Sequence, residues 1–410
     1  MDFSIPEEVV AVGGALIKFI DREVVPIEQA NRELLASERT LFNADGRYCD
    51  EVLALRRKIR MRSAELGFYS LFAPASLGGE EMGAVAAITI QSMLHDHIGP
   101  GRHLIHPVVL PSPFTNGLTP VLANLAPSIF AAYREKIASG EKTLCFALSE
   151  PDAGSDVYGM KTRAVRDGDE WVITGTKQWI SNSPYADYAM VFAITDPELC
   201  KRRSGGITGF FVDAKAPGFK VPRVISVMGH LGSDIGIVTL DAVRVRDDHR
   251  LGAEGCGLSV AIKGVNNGRV GMAGQCVGLA RWALRQAVEY SKVRQTFGKA
   301  ISEHQAIQFM LAECAIDIYA ARSMLQNCAW RIDQQLPVEG EISMVKAYST
   351  EMLNRVMDRC IQIHGAMGLT NEVRLEEGYR FARSMRIPDG TTEIQKRTIA
   401  RRVLNGDIDL

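Results

Sequence analysis

The sequence predicts an α+β fold: an N-terminal helical domain over residues 1–140, a middle antiparallel β-domain over 141–255 and a C-terminal four-helix bundle over 256–410. Three observations predict it. Apolar residues recur at helical spacing up to about Ala138. β-branched and aromatic runs then succeed one another with no helical pattern between them. Helical periodicity returns after Gly257.

In the first segment Leu16, Ile20 and Val24, then Val52, Leu55 and Ile59, share helical faces. Leu71 to Gly83 reads as a loop with a Gly-Gly turn, and Pro107, Pro111, Pro113 and Pro120 interrupt any long helix beyond it. In the middle segment, Val165 to Ile173 reads as two strands around an Asp167-Gly168 turn. Tyr188 to Ile194, Ile207 to Val212 and Ile237 to Val245 are further strands of a sandwich or barrel.

The last segment opens with Val270, Ala273, Val277, Ala280, Leu284 and Ala287, a narrow stripe of mostly small residues suited to close helix packing. Ser302 and Gln305 read as a capping box ahead of a helix that runs to about Ile332. A third helix carries Val345, Tyr348, Met352, Val356, Cys360 and Ile363 on one face, with Lys346, Arg355 and Arg359 off it. Pro388 and Gly390 then hold Asp389 on a turn, and Thr392 with Gln395 makes a second capping box that opens the final helix.

Composition narrows the function. With 46% hydrophobic residues the chain can bury a large core. Forty-seven basic against 48 acidic residues give a net charge of -1, so no global field would hold the chain on nucleic acid or an anionic membrane. No apolar run is long enough to span a bilayer, and the first residues lack the pattern of a secretory signal. Eight scattered cysteines without a C-x-x-C pair fit a reducing compartment, and the expectation is a cytoplasmic enzyme.

Two stretches carry chemistry. Cys145 to Asp156 is a loop rich in backbone N–H groups and hydroxyls that can embrace a planar polar or phosphorylated ligand; a plain connecting turn has the same composition. Trp179 and Ser181, two residues apart on a strand, place an indole and a hydroxyl on one face, for stacking and hydrogen bonding or as part of a core. His95, His97, His103 and His106 lie close in sequence, but with no nearby cysteine no metal site is assigned. Asp389 is either ordinary turn chemistry or a base aimed into a cavity.

Ser-Glu-Pro-Asp-Ala-Gly-Ser-Asp at 149–156, Gly-Thr-Lys-Gln-Trp-Ile-Ser-Asn at 175–182, Arg-Gln-Thr-Phe-Gly-Lys at 294–299 with Glu-His-Gln at 303–305, Gln-Ile-His-Gly at 362–365 and Asp-Gly-Thr at 389–391 stand in one order along the chain. Together they resemble the signatures of the acyl-CoA dehydrogenase family. The resemblance implies an FAD enzyme of lipid metabolism that desaturates an acyl-CoA thioester, a base taking the Cα proton and flavin N5 the Cβ hydride. It implies Asp389 as base, with Arg269 beside base and thioester. Leu148, Ser149, Trp179 and Ser181 would contact the isoalloxazine; Arg294, Thr296, Phe297, Gln305, Gln362 and Gly365 would reach the FAD of a neighbouring subunit; and Thr391 would touch its diphosphate. Ser155, Asn266, Arg269 and Gly390 would face the substrate. A homotetramer built as a dimer of dimers follows, with electron-transfer flavoprotein as electron acceptor.

The chain departs from that pattern in four places. Asp389 stands where the family usually has Glu, one methylene longer, and near-attack geometry is sensitive to displacements of about 1 Å. Leu231 stands where a base is common, Asn266 replaces a common Asp, and Glu393 a common amide. These departures point to a branched, cyclic or otherwise unusual acyl group, or to a flavin oxidase or monooxygenase of the same fold acting on a non-CoA carbon acid such as a nitroalkane.

Overall fold

The computed structural model describes residues 4–112 and 114–407. Pro113, expected above to help interrupt the N-terminal helices, lies outside the described residues. The chain divides into two compact units, one of Arg22–Glu81 and His103–Asn267, the other of Met1–Asp21, Met82–Arg102 and Gly268–Leu410. The order of elements along the chain is helices, sheet, helices, as expected.

The first unit is organised on an eight-stranded sheet: β1 (Leu144–Ala147), β2 (Arg163–Asp167), β3 (Glu170–Ser181), β4 (Tyr188–Ile194), β5 (Ile207–Asp213), β6 (Phe219–Val224), β7 (Ile235–Arg246) and β8 (Arg250–Leu251). Its order is β6-β7-β3-β2-β4-β5-β8, with β1 also paired to β4. Most ladders are antiparallel, but β1 and β2 both run parallel to β4, so the sheet is mixed and not purely antiparallel as expected. The β2–β3 hairpin turns at Gly168-Asp169, one residue later than expected, because Asp167 still pairs with Glu170. Gly168 takes φ +62 at the first turn position, the position that glycine favours in a type II′ turn.

Side-chain alternation on β4 builds two cores at once. Met190, Phe192 and Ile194 join Phe130 and Ile137 of the helix Pro127–Ala138, whereas Ala189, Val191 and Ala193 join Ile173, Val238 and Val243 of β3 and β7. Strand β4 is therefore apolar throughout, as a strand covered on both faces must be.

The second unit is helical. It comprises helices Glu7–Phe19, Gly83–Ile98, the later part of Gly257–Val293, Gln305–Asp333, Glu339–His364, Leu375–Met385 and Thr392–Asn405. The small stripe does what its spacing predicts: Ala273, Val277, Ala280 and Ala287 are buried with Cys314, Leu325, Val345, Met352 and Cys360. Gly278 lies on another side of the same helix, and a Cβ there would lie 2.4 Å from the Ser92 carbonyl oxygen, so only glycine permits this approach to Gly83–Ile98. Asp333 receives the N–H groups of Ala84 and Val85 and so caps that helix from the end of another. The helix Leu375–Met385 is an element beyond those the sequence pattern predicts.

Both expected capping boxes shift. The final helix is capped by Thr391, whose Oγ1 accepts from Ile394 N–H at 3.3 Å, while Thr392 is buried and donates to Glu351. Ahead of Gln305 a 3-10 turn, Ile301–Glu303, intervenes; Glu303 accepts from Ala300 N–H, and Ser302 caps nothing. Gln305 is left exposed at the helix start.

Candidate active site

In the helical unit the turn between Leu375–Met385 and Thr392–Asn405 is closed by Thr392 N–H donating to the Arg386 carbonyl at 3.1 Å. Asp389 and Gly390 follow each other at φ +58 and +90. Left-handed backbone is costly for most side chains, and Asp is among the few that tolerate it. The Asp-Gly pair thus suits the path of this turn whatever its chemistry.

Three side chains hold that path. Arg269 Nε donates to the Asp389 carbonyl at 2.7 Å, Lys346 Nζ to the Gly390 carbonyl at 2.8 Å, and Gln395 Nε2 to both at 3.1 Å. At Gly390 glycine suits φ +90, and a Cβ would sit 2.7 Å from Gln395 Nε2 and 3.1 Å from Arg269 Nη2, pushing back the tips of two side chains that hold the turn. Burial pushes the Asp389 carboxyl up to about 6, against the pull of the Arg269 and Lys346 charges. A carboxyl near 6 is ionised at neutral pH yet basic enough to take a proton. Burial also brings Lys346 down to about 8 and lowers Arg269.

Lys346 is the residue that sequence reasoning missed. It was placed off the apolar face of its helix, whereas the structure buries it completely. The error is physical: a lysine whose partner is a backbone carbonyl 44 residues away leaves no local charge pattern. Arg355 and Arg359 do lie off the core face, paired with Asp317.

In the sheet unit the Ser149–Asp156 loop is tied down from beneath. Fully buried Lys177 of β3 donates to Glu150 Oε1 at 2.8 Å and to the Leu148 carbonyl at 3.0 Å. Glu150 also accepts from the N–H groups of Lys161 and Thr162, and Gln178 N–H donates to the Ser149 carbonyl at 2.9 Å. Glu150 and Lys177 both fell inside quoted motifs, but neither was singled out, because their pairing crosses 27 residues.

Beyond Lys177 strand β3 carries a bulge, the register stepping from Lys177–Val238 to Ile180–Gly236. Trp179 lies in the bulge at φ +64 with 54% of its surface exposed, so it is not a core tryptophan. Ser181 is exposed as well, with buried Ile180 between them; the bulge interrupts the strand alternation from which a shared face was expected.

Other candidates are more scattered. In the helical unit Arg294 lies exposed just beyond the helix Gly257–Val293 and leads into a two-stranded hairpin, β9 (Gln295–Thr296) and β10 (Lys299–Ala300). Its tip is Phe297-Gly298 at φ +53 and +79, and the Phe297 ring is 97% exposed. Gln362 and Gly365 are exposed at the end of Glu339–His364. In the sheet unit Ser155 is exposed and Asn266 half-buried. Leu231 is exposed, and its N–H and the His230 ring both bond Glu38, so an acid stands where a phosphate-binding base was sought.

Two of the histidines have ordinary protein partners. His95 Nδ1 meets the Gln91 carbonyl, with its ring brought down to about 4 by burial, and His97 pairs with Asp21. Among the described residues no group of three His, Cys, Asp or Glu is placed to hold an ion.

Each unit offers groups that suit a flavin nucleotide: an exposed indole and an exposed hydroxyl in the sheet unit, and in the helical unit a capped helix N-terminus and an exposed arginine. The class these features fit is a flavoprotein, with a half-buried carboxyl on the helical unit's turn. Family profiles agree. "Acyl-CoA dehydrogenase, middle domain" matches residues 145–243 and "Acyl-CoA dehydrogenase, C-terminal domain" residues 255–404. The caffeyl-CoA reductase-Etf complex subunit CarC of Acetobacterium woodii is 33% identical over 375 residues, 92% of this chain and 95% of that one. Cyclohexane-1-carbonyl-CoA dehydrogenase of Geobacter metallireducens is 32% identical over 380 residues, with the same coverage of each chain. The crystal structure of an acyl-CoA dehydrogenase from Geobacillus kaustophilus superposes with a TM-score of 0.83 at 27% identity, covering 97% of this chain and 98% of that one. The chain belongs to the acyl-CoA dehydrogenase family and is an FAD-dependent oxidoreductase of that family. Among the described residues no helix is long and apolar enough to cross a membrane.

Proposed function

We propose that this enzyme α,β-dehydrogenates an acyl-CoA whose acyl group is branched, cyclic or otherwise unusual, with Asp389 as the base that takes the Cα proton. The observation that carries this reading is the Asp389 carboxyl: set on a turn held by Arg269, Lys346 and Gln395, and raised by burial to about 6. Bound FAD would accept the hydride from Cβ. Leu148, Ser149, Trp179 and Ser181 would hold its ring, with Glu150 and Lys177 fixing the loop that presents them. Thr391, Arg294, Thr296, Phe297, Gln305, Gln362 and Gly365 would serve its remaining length.

The chain's own residues account for the proton step. The Asp389 carboxylate receives the Cα proton, and Arg269 stands beside it as a fixed positive charge that stabilises the enolate forming at the thioester. Ser155, Asn266 and Gly390 would line the substrate. An almost naked phenyl ring at the tip of a hairpin calls for a partner, which supports a homotetramer in which Phe297 reaches a second copy. Electron-transfer flavoprotein is the proposed acceptor, in keeping with a relative named as part of an Etf complex. The relative named for cyclohexane-1-carbonyl-CoA supports the unusual acyl group.

Anaerobic mixing of the purified flavoprotein with straight, branched, cyclic and aryl acyl-CoAs tests this. Bleaching of the oxidised flavin by the branched or cyclic members is expected. No bleaching with any thioester, together with oxygen consumption on small nitroalkanes, overturns it in favour of a carbon-acid oxidase, the reading that Glu38 beside Leu231 would then explain.

A further inference from the structure

The base turn contains an arrangement that ordinary turn chemistry does not require. A fully buried lysine from the helix Glu339–His364 spends a hydrogen bond on the Gly390 carbonyl, the residue after the base. Burying an ammonium is costly, and a neutral side chain of similar length would pack there with less penalty. Gln395 already donates to the same oxygen, so the carbonyl would not be orphaned without the lysine. A second cation, Arg269 from the helix Gly257–Val293, grips the neighbouring carbonyl at 2.7 Å. Between them the two carbonyls of a left-handed pair, Asp389 and Gly390, are pulled onto two different helices.

We infer that Lys346 is a positioning residue for the reaction: by gripping the Gly390 carbonyl it holds the left-handed backbone that aims the Asp389 carboxylate, and its charge keeps that carboxylate ionised. This rests on Asp389 being the base, as proposed above. The geometry explains how a short acid can serve. Asp389 has only one methylene with which to adjust its reach, so its aim is set by the backbone, and the backbone is set by Lys346 and Arg269. The charges that act on the Asp389 carboxyl are those of Arg269 on one helix and Lys346 on another; Lys346 in turn faces Cys276 and Glu351, and Glu351 pairs with Arg386 at 2.8 Å. Lys346 and Arg269 are therefore the cations that act on Asp389.

Two variants separate positioning from a purely structural role. Lys346→Met removes both hydrogen bond and charge; Lys346→Gln keeps a donor and removes only the charge. Each is purified with FAD, checked by thermal unfolding and flavin content, and assayed for reductive bleaching against pH. In both, the acid limb of the rate profile is expected to move up by about one unit, because a nearby opposite charge has been lost. Lys346→Met is expected also to lower the maximal rate about tenfold with little change in substrate affinity, and Lys346→Gln to recover part of that loss. An infrared titration of the Asp389 carboxyl band, with Asp389→Asn subtracted, reads the same shift without turnover. Folded variants with an unmoved acid limb and carboxyl band overturn the inference, and so does failure of both variants to fold, which would assign Lys346 to the fold. If Asp389→Asn itself bleaches normally, it is the base assignment that fails.

Discussion

Among the described residues Lys177 and Lys346 are fully buried, each brought down by burial to about 8, and they treat their neighbouring carboxyls in opposite ways. In the sheet unit Lys177 bonds the Glu150 carboxylate directly. Burial would raise that carboxyl, but the Lys177 charge and the bonds from Lys177, Thr162 and Lys161 outweigh it and hold it below its ordinary value. In the helical unit Lys346 bonds a carbonyl one residue past the acid, and Asp389 rises to about 6. The contrast teaches that the partner of the ammonium, not the presence of an ammonium, decides whether a buried acid is locked or left reactive. A pair that satisfies itself is a strut; a pair offset by one peptide leaves a base.

The largest test of this contrast is chemical. Asp389→Asn should slow reductive bleaching by about 10²- to 10⁴-fold while leaving the fold intact, whereas Glu150→Gln, if it retains flavin, should spare most of the rate; stopped-flow mixing measures both. The next is structural and reverses the roles. Glu150→Gln leaves Lys177 buried without its counter-charge and should destabilise the protein by about 3 kcal/mol or more in denaturant titrations, and adding Lys177→Met should restore much of the loss.

The smallest effect is in the pH dependence of stability. A carboxyl whose folded value is depressed, as for Glu150, contributes stability that is present above its ordinary 4.5 and lost as pH falls through the folded value. One whose value is raised, as for Asp389, contributes stability that is present below 3.8 and lost as pH rises through about 6. Asp389→Asn should therefore be the more stable protein above pH 6 and not below 3.8, the gain staying under the roughly 3 kcal/mol that about two pKa units would give, because Asp389 is only half-buried. Equal differences at both ends would show that Asp389 is not held in a desolvating site.

Most of the fold was legible because its signals are local. Tyr188–Ile194 was bounded correctly from its β-branched and aromatic run, and the stripe from Val270 to Ala287 from its small residues. The misses came where a boundary depends on a distant partner or on one peptide of register. The hairpin turn moved by one residue through the Asp167–Glu170 pairing, and the caps moved to Thr391 and past the 3-10 turn at Ile301. The parallel neighbours of β4 were hidden because sequence marks strands and not their order. In the candidate site, motif order led to Asp389 and Arg269, which do meet. Lys346 and the Glu150–Lys177 pair stayed hidden, since each is defined by a contact across tens of residues.

Strand β4 is cut like a two-sided key, with methionine, phenylalanine and isoleucine along one edge and alanine, valine and alanine along the other. A slip of one residue would offer each lock the wrong teeth, the phenyl of Phe192 to a slot sized for alanine. β1 lies in register beside it, Leu144 opposite Tyr188 through Ala147 opposite Val191, and the chain leaves that ladder at Leu148. The address of the Ser149–Asp156 loop is thereby written in side-chain volumes on a strand it never touches in sequence. A single-residue deletion inside β4, far from any reacting atom, would misdeliver the loop as surely as cutting it.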